Sequence, residues 1–201
     1  MDRTVTEERL RIGFLLDTIW FEMKHQPVRS KEQTLKLLVD LLAAEGIPYA
    51  IIGGMALQVH VADPRTTVDV DVALLAREDV PRTALEALGF KHTGSFEHSE
   101  NFRSPDGIMV QFSGEPEWQG VVRRAEIHDA FDRRIPFISP IDLVRAKLRA
   151  AADPGRRRSK RLIDVADITT LLEEHADLAS LLTEDEMARI ARLPAEIGSP
   201  L

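Results

Sequence analysis

Residues 68–72 read Val-Asp-Val-Asp-Val, and few segments constrain a fold more tightly. In a strand, residues two apart share a face. The spacing therefore turns Val68, Val70 and Val72 toward a core and projects Asp69 and Asp71 together from the other side. Aspartate is a poor strand former and neighbouring like charges repel, so the arrangement costs stability unless something uses it. A hard divalent cation would use it, because such ions take carboxylate and phosphate oxygens. The competing reading is the solvated face of an amphipathic strand, and on strand chemistry alone the two stand level.

The segment just upstream tips that balance. Tyr49-Ala50-Ile51-Ile52 predicts a short apolar strand running into Gly53-Gly54, with a small helix expected over Met55–Val61. A strand-to-helix turn of this kind exposes backbone N–H groups that can seat a phosphate. It is also what any tight turn needing positive φ would look like. Phosphate seat followed by carboxylate pair is an order with chemical meaning.

The remaining pattern places these segments in an α/β chain. Apolar residues at helical spacing predict a helix over 5–25 that stops at Pro27, and a second over 31–45, capped by Ser30 and ended by Gly46 and Pro48. The break after the Met55–Val61 helix falls at Asp63-Pro64, and a strand is expected from Thr66 to Leu75. Strands are also expected at 90–92, 101–103 and 108–112, with a turn at 104–107. Residues 115–119 read as loop and 121–138 as one or two strands. Ser139, Pro140 and Asp142 then open a helix to about Ala152. Two more helices are expected over 159–174 and 184–192. These elements predict an N-terminal helix over 1–29, an α/β core over 30–138 and a helical region over 139–201.

Composition closes off other classes. The 26 basic and 33 acidic residues leave a net charge of −7, which argues against a general binder of nucleic acid or anionic membrane. There is no cysteine, which excludes disulfides and thiolate chemistry and suits a cytoplasmic location. The apolar stretch Ile12–Phe21 is interrupted by Asp17 and too short to span a bilayer. The six histidines show no metal-ligand spacing, and no P-loop, Rossmann or serine-hydrolase motif occurs.

Taken together, Ile51-Ile52-Gly53-Gly54 and an Asp-x-Asp placed fifteen and seventeen positions after Gly54 resemble the nucleotidyltransferase superfamily. Arg65-Thr66-Thr67-Val68-Asp69-Val70-Asp71 is similar to the Arg-x-Thr/Ser-x-Asp-x-Asp form of its abortive-infection and toxin-type members. Those proteins also carry a helical lysine followed by an Asp-x-x-Asp-like helix, matched here by Lys147 and by Asp164 and Asp167. The resemblance spans about 48–175. It implies a mixed β-sheet with helices followed by a helical C-terminal region, and a transfer of a nucleoside monophosphate from a nucleoside triphosphate to a hydroxyl of RNA, protein or a small molecule. It implies one or two Mg²⁺ ions on Asp69 and Asp71, with Gly53, Gly54, Arg65, Thr67, Lys147 and Asp167 contacting nucleotide. An antitoxin is the protein partner it implies, and no membrane.

Lys147 interrupts the apolar stripe of its own helix, where lysine is unwelcome. It could snorkel to water, pair with Asp164 or Asp167, or reach phosphate as the resemblance implies. The basic run Arg156, Arg157, Arg158, Lys160 and Arg161 is either a solvated helix start or a contact for triphosphate or an RNA backbone. Two positions depart from the family pattern. Gln111 stands where a third carboxylate is expected, and glutamine is neither a base nor a charged ligand; Met55 replaces a phosphate-contacting hydroxyl. These departures support a second expectation, a catalytically degenerate relative that binds a nucleotide or a partner. Asp106, Glu115 and Glu117 are the substitutes for a missing carboxylate.

Overall fold

A computed structural model of the chain describes residues 3–25, 30–63 and 65–198; the stops expected at Pro27 and Pro64 lie outside them. The chain divides into two compact units, residues 1–139 and 140–201.

Among the described residues the first unit is a seven-stranded mixed sheet with helices. Two helices lead, α1 (Arg3–Met23) and α2 (Lys31–Ala44), the latter capped by the Ser30 hydroxyl accepting from the Gln33 amide. Next come β1 (Tyr49–Ile52), α3 (Gly53–His60), β2 (Asp69–Leu74) and α4 (Arg82–Ala87). The unit is completed by β3 (Lys91–Phe96), β4 (Ser99–Arg103), β5 (Met109–Ser113), α5 (Trp118–Arg123), β6 (Glu126–Ala130) and β7 (Arg133–Phe137). The strand order is β3-β4-β5-β2-β1-β7-β6. All four residues of β1 are buried, which is why a continuous apolar run occupies the middle of the sheet. β2 runs antiparallel to β1 and parallel to β5.

Val70, Val72, Val110, Phe102 and Phe112 fill the covered face of these strands, the two phenylalanines edge to face at 5.8 Å. Burying each such side chain contributes roughly 1.5–3 kcal/mol. At the far rim, buried Glu100 receives Arg77, Arg82, His92 and Ser95. Burial alone would raise its pKa, but those hydrogen bonds hold it down at about 2.

Three expectations need correction in this unit. β2 begins at Asp69 rather than Thr66, and Val68 lies before it, 38% exposed instead of facing the core. Trp118–Arg123 is a helix where loop and strand were expected. Its β-branched Val121 and Val122 are buried, so burial on the sheet overrides their strand propensity. The strands of 121–138 are β6 and β7.

The second unit is helical: α6 (Pro140–Ala152), α7 (Arg158–Glu174), α8 (Leu178–Leu181) and α9 (Glu184–Gly198). α9 outruns the expected 184–192 and carries Pro194 inside it. Its start is a capping box, with the Glu186 amide donating to Thr183 Oγ1 at 3.1 Å and the Thr183 amide to Glu186 Oε2 at 2.8 Å. Among the described residues no helix is long and apolar enough to cross a membrane.

Candidate active site

The β1–α3 turn and the β2 carboxylates meet because of register. Ile52, the last residue of β1, lies opposite Asp71, so Gly53 emerges directly beside that carboxylate. Gly53 has φ +66°, a conformation glycine adopts at little cost. A Cβ there would sit 2.0 Å from Asp71 Oδ2, and one on Gly54 would sit 2.5 Å from Thr67 Oγ1. Two glycines are therefore required for contact, beyond the turn itself. Asp69 and Asp71 are half-buried on one face of β2.

Residues 65–68, which lead into β2, belong to no helix or strand, and side chains from three helices hold them. Gln58 Nε2 of α3 donates to the Arg65 carbonyl at 3.0 Å. The Thr67 amide donates to Asp17 Oδ1 of α1 at 2.8 Å, and the Thr67 carbonyl accepts from the Lys31 ammonium at the start of α2. Lys31 also donates to Asp17, and their side chains are 2% and 4% exposed. Burial raises Asp17 and lowers Lys31, against the attraction between them. Lys31 also feels the charges of Asp69 and Asp71. The sequence reading missed both residues: Asp17 registered only as a break in an apolar stretch and Lys31 as a residue after a cap. The available signal was Asp17 falling at helical spacing between Leu10, Gly13 and Phe21, a charge on an otherwise uncharged face.

Gln111 lies in register with Asp71 on the neighbouring β5, so their side chains leave the same face. It is exposed. Asn101 of β4 follows Gln111 in the same row, extending a polar ladder across the sheet. Asp106 lies in the turn before β5, at the end where Asp69 begins β2, and its Oδ2 is buried without a hydrogen-bond partner. Glu115 lies beyond the opposite end of β5 and accepts from the Trp118 indole at 3.0 Å; Glu117 follows it.

In the second unit, Lys147 of α6 is buried and donates to Asp167 Oδ2 at 2.5 Å, with Asp164 Oδ1 at 3.5 Å. Asp164 also accepts from Arg156 Nε at 2.9 Å. Of the basic run, Arg161 donates to the Ala151 carbonyl and Arg158 to that of Gly198, so three of its arginines have partners inside the unit.

The histidines are not all scattered in space. His60 at the end of α3 and His128 and Glu126 on β6 bring ligand atoms within 4.8 Å of one another, a group able to hold a metal ion. The His60 ring lies 2.7 Å from the Ile138 carbonyl and the His128 ring 3.1 Å from Thr6 Oγ1. Sequence spacing could not show a cluster assembled from a helix end and a strand more than sixty residues apart.

Asp69 and Asp71 offer an all-oxygen donor set, with the Asp71 carboxylate packed against Gly53, and this suits Mg²⁺. A family model described as nucleotidyl transferase AbiEii toxin, type IV toxin–antitoxin system, matches residues 36–196. Among solved structures, the chain is similar to an antigenic nucleotidyltransferase-like protein from Paracoccidioides brasiliensis, with a TM-score of 0.54, 20% identity, and 82% of this chain and 87% of that one covered. It is similar to the lincosamide antibiotic adenylyltransferase LnuA in its lincomycin-bound form, with a TM-score of 0.52, 16% identity and coverages of 71% and 99%. It is also similar to ANT(2″)-Ia in complex with adenylyl-2″-tobramycin, with a TM-score of 0.52, 13% identity and coverages of 82% and 97%. No curated protein matches.

Proposed function

The chain belongs to the nucleotidyl transferase AbiEii toxin family, and from that premise we propose that it moves a nucleoside monophosphate from a nucleoside triphosphate to a hydroxyl acceptor. One observation carries the reading. Two carboxylates that repel each other share one face of β2, and one of them abuts the glycine turn that opens α3. Asp69 and Asp71 would hold Mg²⁺, which supplies charge neutralisation on the triphosphate oxygens. The Gly53-Gly54 turn, which opens α3 against Asp71, would seat phosphate on its backbone amides. Thr67, against Gly54, and Arg65, two residues earlier in the segment leading into β2, are the further nucleotide-contacting residues of this reading. Lys147, held by Asp167 and Asp164 within the second unit, is its family-like lysine. Two structural neighbours hold lincomycin and adenylyl-2″-tobramycin, which supports a small molecule as one acceptor class; RNA and protein are the others. As a member of a toxin family the chain would act as the toxin, answered by an antitoxin, in the cytoplasm.

Gln111 favours a second reading. It stands in register with Asp71, where a third carboxylate would complete the metal site, and it suits a degenerate relative that binds nucleotide without transferring it. One experiment separates the two. The protein is incubated with Mg²⁺, each labelled nucleoside triphosphate, and pools of RNA, protein and metabolites, and labelled products are identified by mass spectrometry. Label on an acceptor, absent with the Asp69→Asn, Asp71→Asn protein, supports transfer. Nucleotide binding without label in any pool supports the degenerate reading.

A further inference from the structure

Asp17 and Lys31 form a costly arrangement, a charged pair almost entirely out of water. Apolar residues of similar volume would usually stabilise a fold as well or better, so the pair needs a reason beyond stability. Its contacts supply one. Both charges converge on the backbone of a single residue, Thr67, the carboxylate on its N–H and the ammonium on its C=O, so the peptide units on either side of it are both held. The Thr67 side chain is pressed against Gly54, where even a methyl would collide. Two residues later the chain becomes β2 at Asp69. Gln58, against which Gly13 of α1 packs without room for a Cβ, fixes Arg65 in the same segment. Asp17 and Lys31 both precede the residues matched by the family model, which begin at 36.

We propose that Asp17 and Lys31 are positioning residues, a clamp supplied by α1 and α2 that fixes Thr67 between Gly54 and the β2 carboxylates and so sets the spacing of the ligand pair. The inference rests on reading Asp69 and Asp71 as that pair. The clamp is neutral overall, so it shapes the site while adding no net charge to compete with a cation. It also makes the two N-terminal helices part of the site: displacing α1 would release Thr67 and with it the start of β2.

The test uses the full chain, Mn²⁺ as probe, and the combined Asp17→Asn, Lys31→Met substitution. Both charges are removed together, so net charge is unchanged and no buried charge is stranded; asparagine still offers Oδ1 to the Thr67 amide. The expected result is a Mn²⁺ dissociation constant raised at least about tenfold, with faster hydrogen exchange at Thr67 and a metal-free melting temperature within about 5 °C of the parent. A folded variant that binds Mn²⁺ with parental affinity overturns the clamp while leaving the carboxylate pair standing. The parent chain supplies an independent readout should the variant not fold: Mn²⁺ should slow exchange of the Thr67 amide, and an unchanged rate overturns the clamp. A parent that does not bind Mn²⁺ overturns the metal reading of Asp69 and Asp71 and the clamp with it.

Discussion

Two buried lysines, one in each unit, are built on the same economy and serve different neighbours. Lys147 meets two carboxylates, Asp167 and Asp164, that lie three residues apart on α7, and Arg156 balances the second. It is a knot between two adjacent helices. Lys31 meets one carboxylate and one backbone carbonyl, and through them joins α1, α2 and the segment entering β2. The contrast is between a charge that fastens helix to helix and a charge that fastens helices to a strand carrying chemistry. Loss of the first should be felt in stability, and loss of the second also in what β2 can bind.

The largest effect should come from Lys147→Met. Methionine suits the apolar stripe, but Asp167 loses its ammonium in a buried site, and removing one partner of such a pair costs about 3–5 kcal/mol. Denaturant unfolding measures it. A loss below about 1 kcal/mol would break the comparison by showing the knot to be dispensable.

Next in size is Glu100→Gln, expected to cost about 2–3 kcal/mol because Arg77 and Arg82 lose a charged acceptor. The pH dependence has a fixed sign. With the folded pKa near 2 and the ordinary value at 4.5, the contribution is fully present above about pH 4.5. It is lost as pH falls toward 2, where the carboxylate protonates in both states. The parent should therefore lose stability over that range more steeply than the glutamine variant, and parallel acid-unfolding curves would contradict the assignment.

Gly53→Ala should be milder for the fold and severe for the site. A left-handed backbone at alanine costs about 1–2 kcal/mol, and the new methyl must displace the Asp71 carboxylate. Melting temperature and Mn²⁺ affinity measured together test this: affinity should fall while the fold persists. Unchanged affinity would separate the glycine turn from the carboxylates.

How much of this was legible beforehand follows from the range of the interactions. Strand β1, helix α2 with its Ser30 cap, the glycine turn and the paired aspartates are written in residues within a few positions of one another, where periodicity and capping speak directly. The row joining Asp71 to Gln111 was legible too, because alternation along 108–112 puts Gln111 opposite the buried Ile108, Val110 and Phe112. Helix α5 was not, since buried valines look alike in helix and strand. Nor was the clamp, whose bonds join residues 36 and 50 positions apart, or the His60–Glu126–His128 group. Those depend on which faces tertiary packing brings together, and no local pattern encodes that.

The smallest expected change in stability accompanies the change that matters most to function. Asp69→Asn with Asp71→Asn removes a like-charge repulsion on one strand face, so the metal-free protein should be as stable as the parent or slightly more so. Calorimetry of nucleoside triphosphate binding, with and without Mg²⁺, on parent and double variant tests the central claim most directly. The account predicts Mg²⁺-dependent binding by the parent that disappears in the folded variant. Unchanged Mg²⁺-dependent affinity in that variant would contradict it.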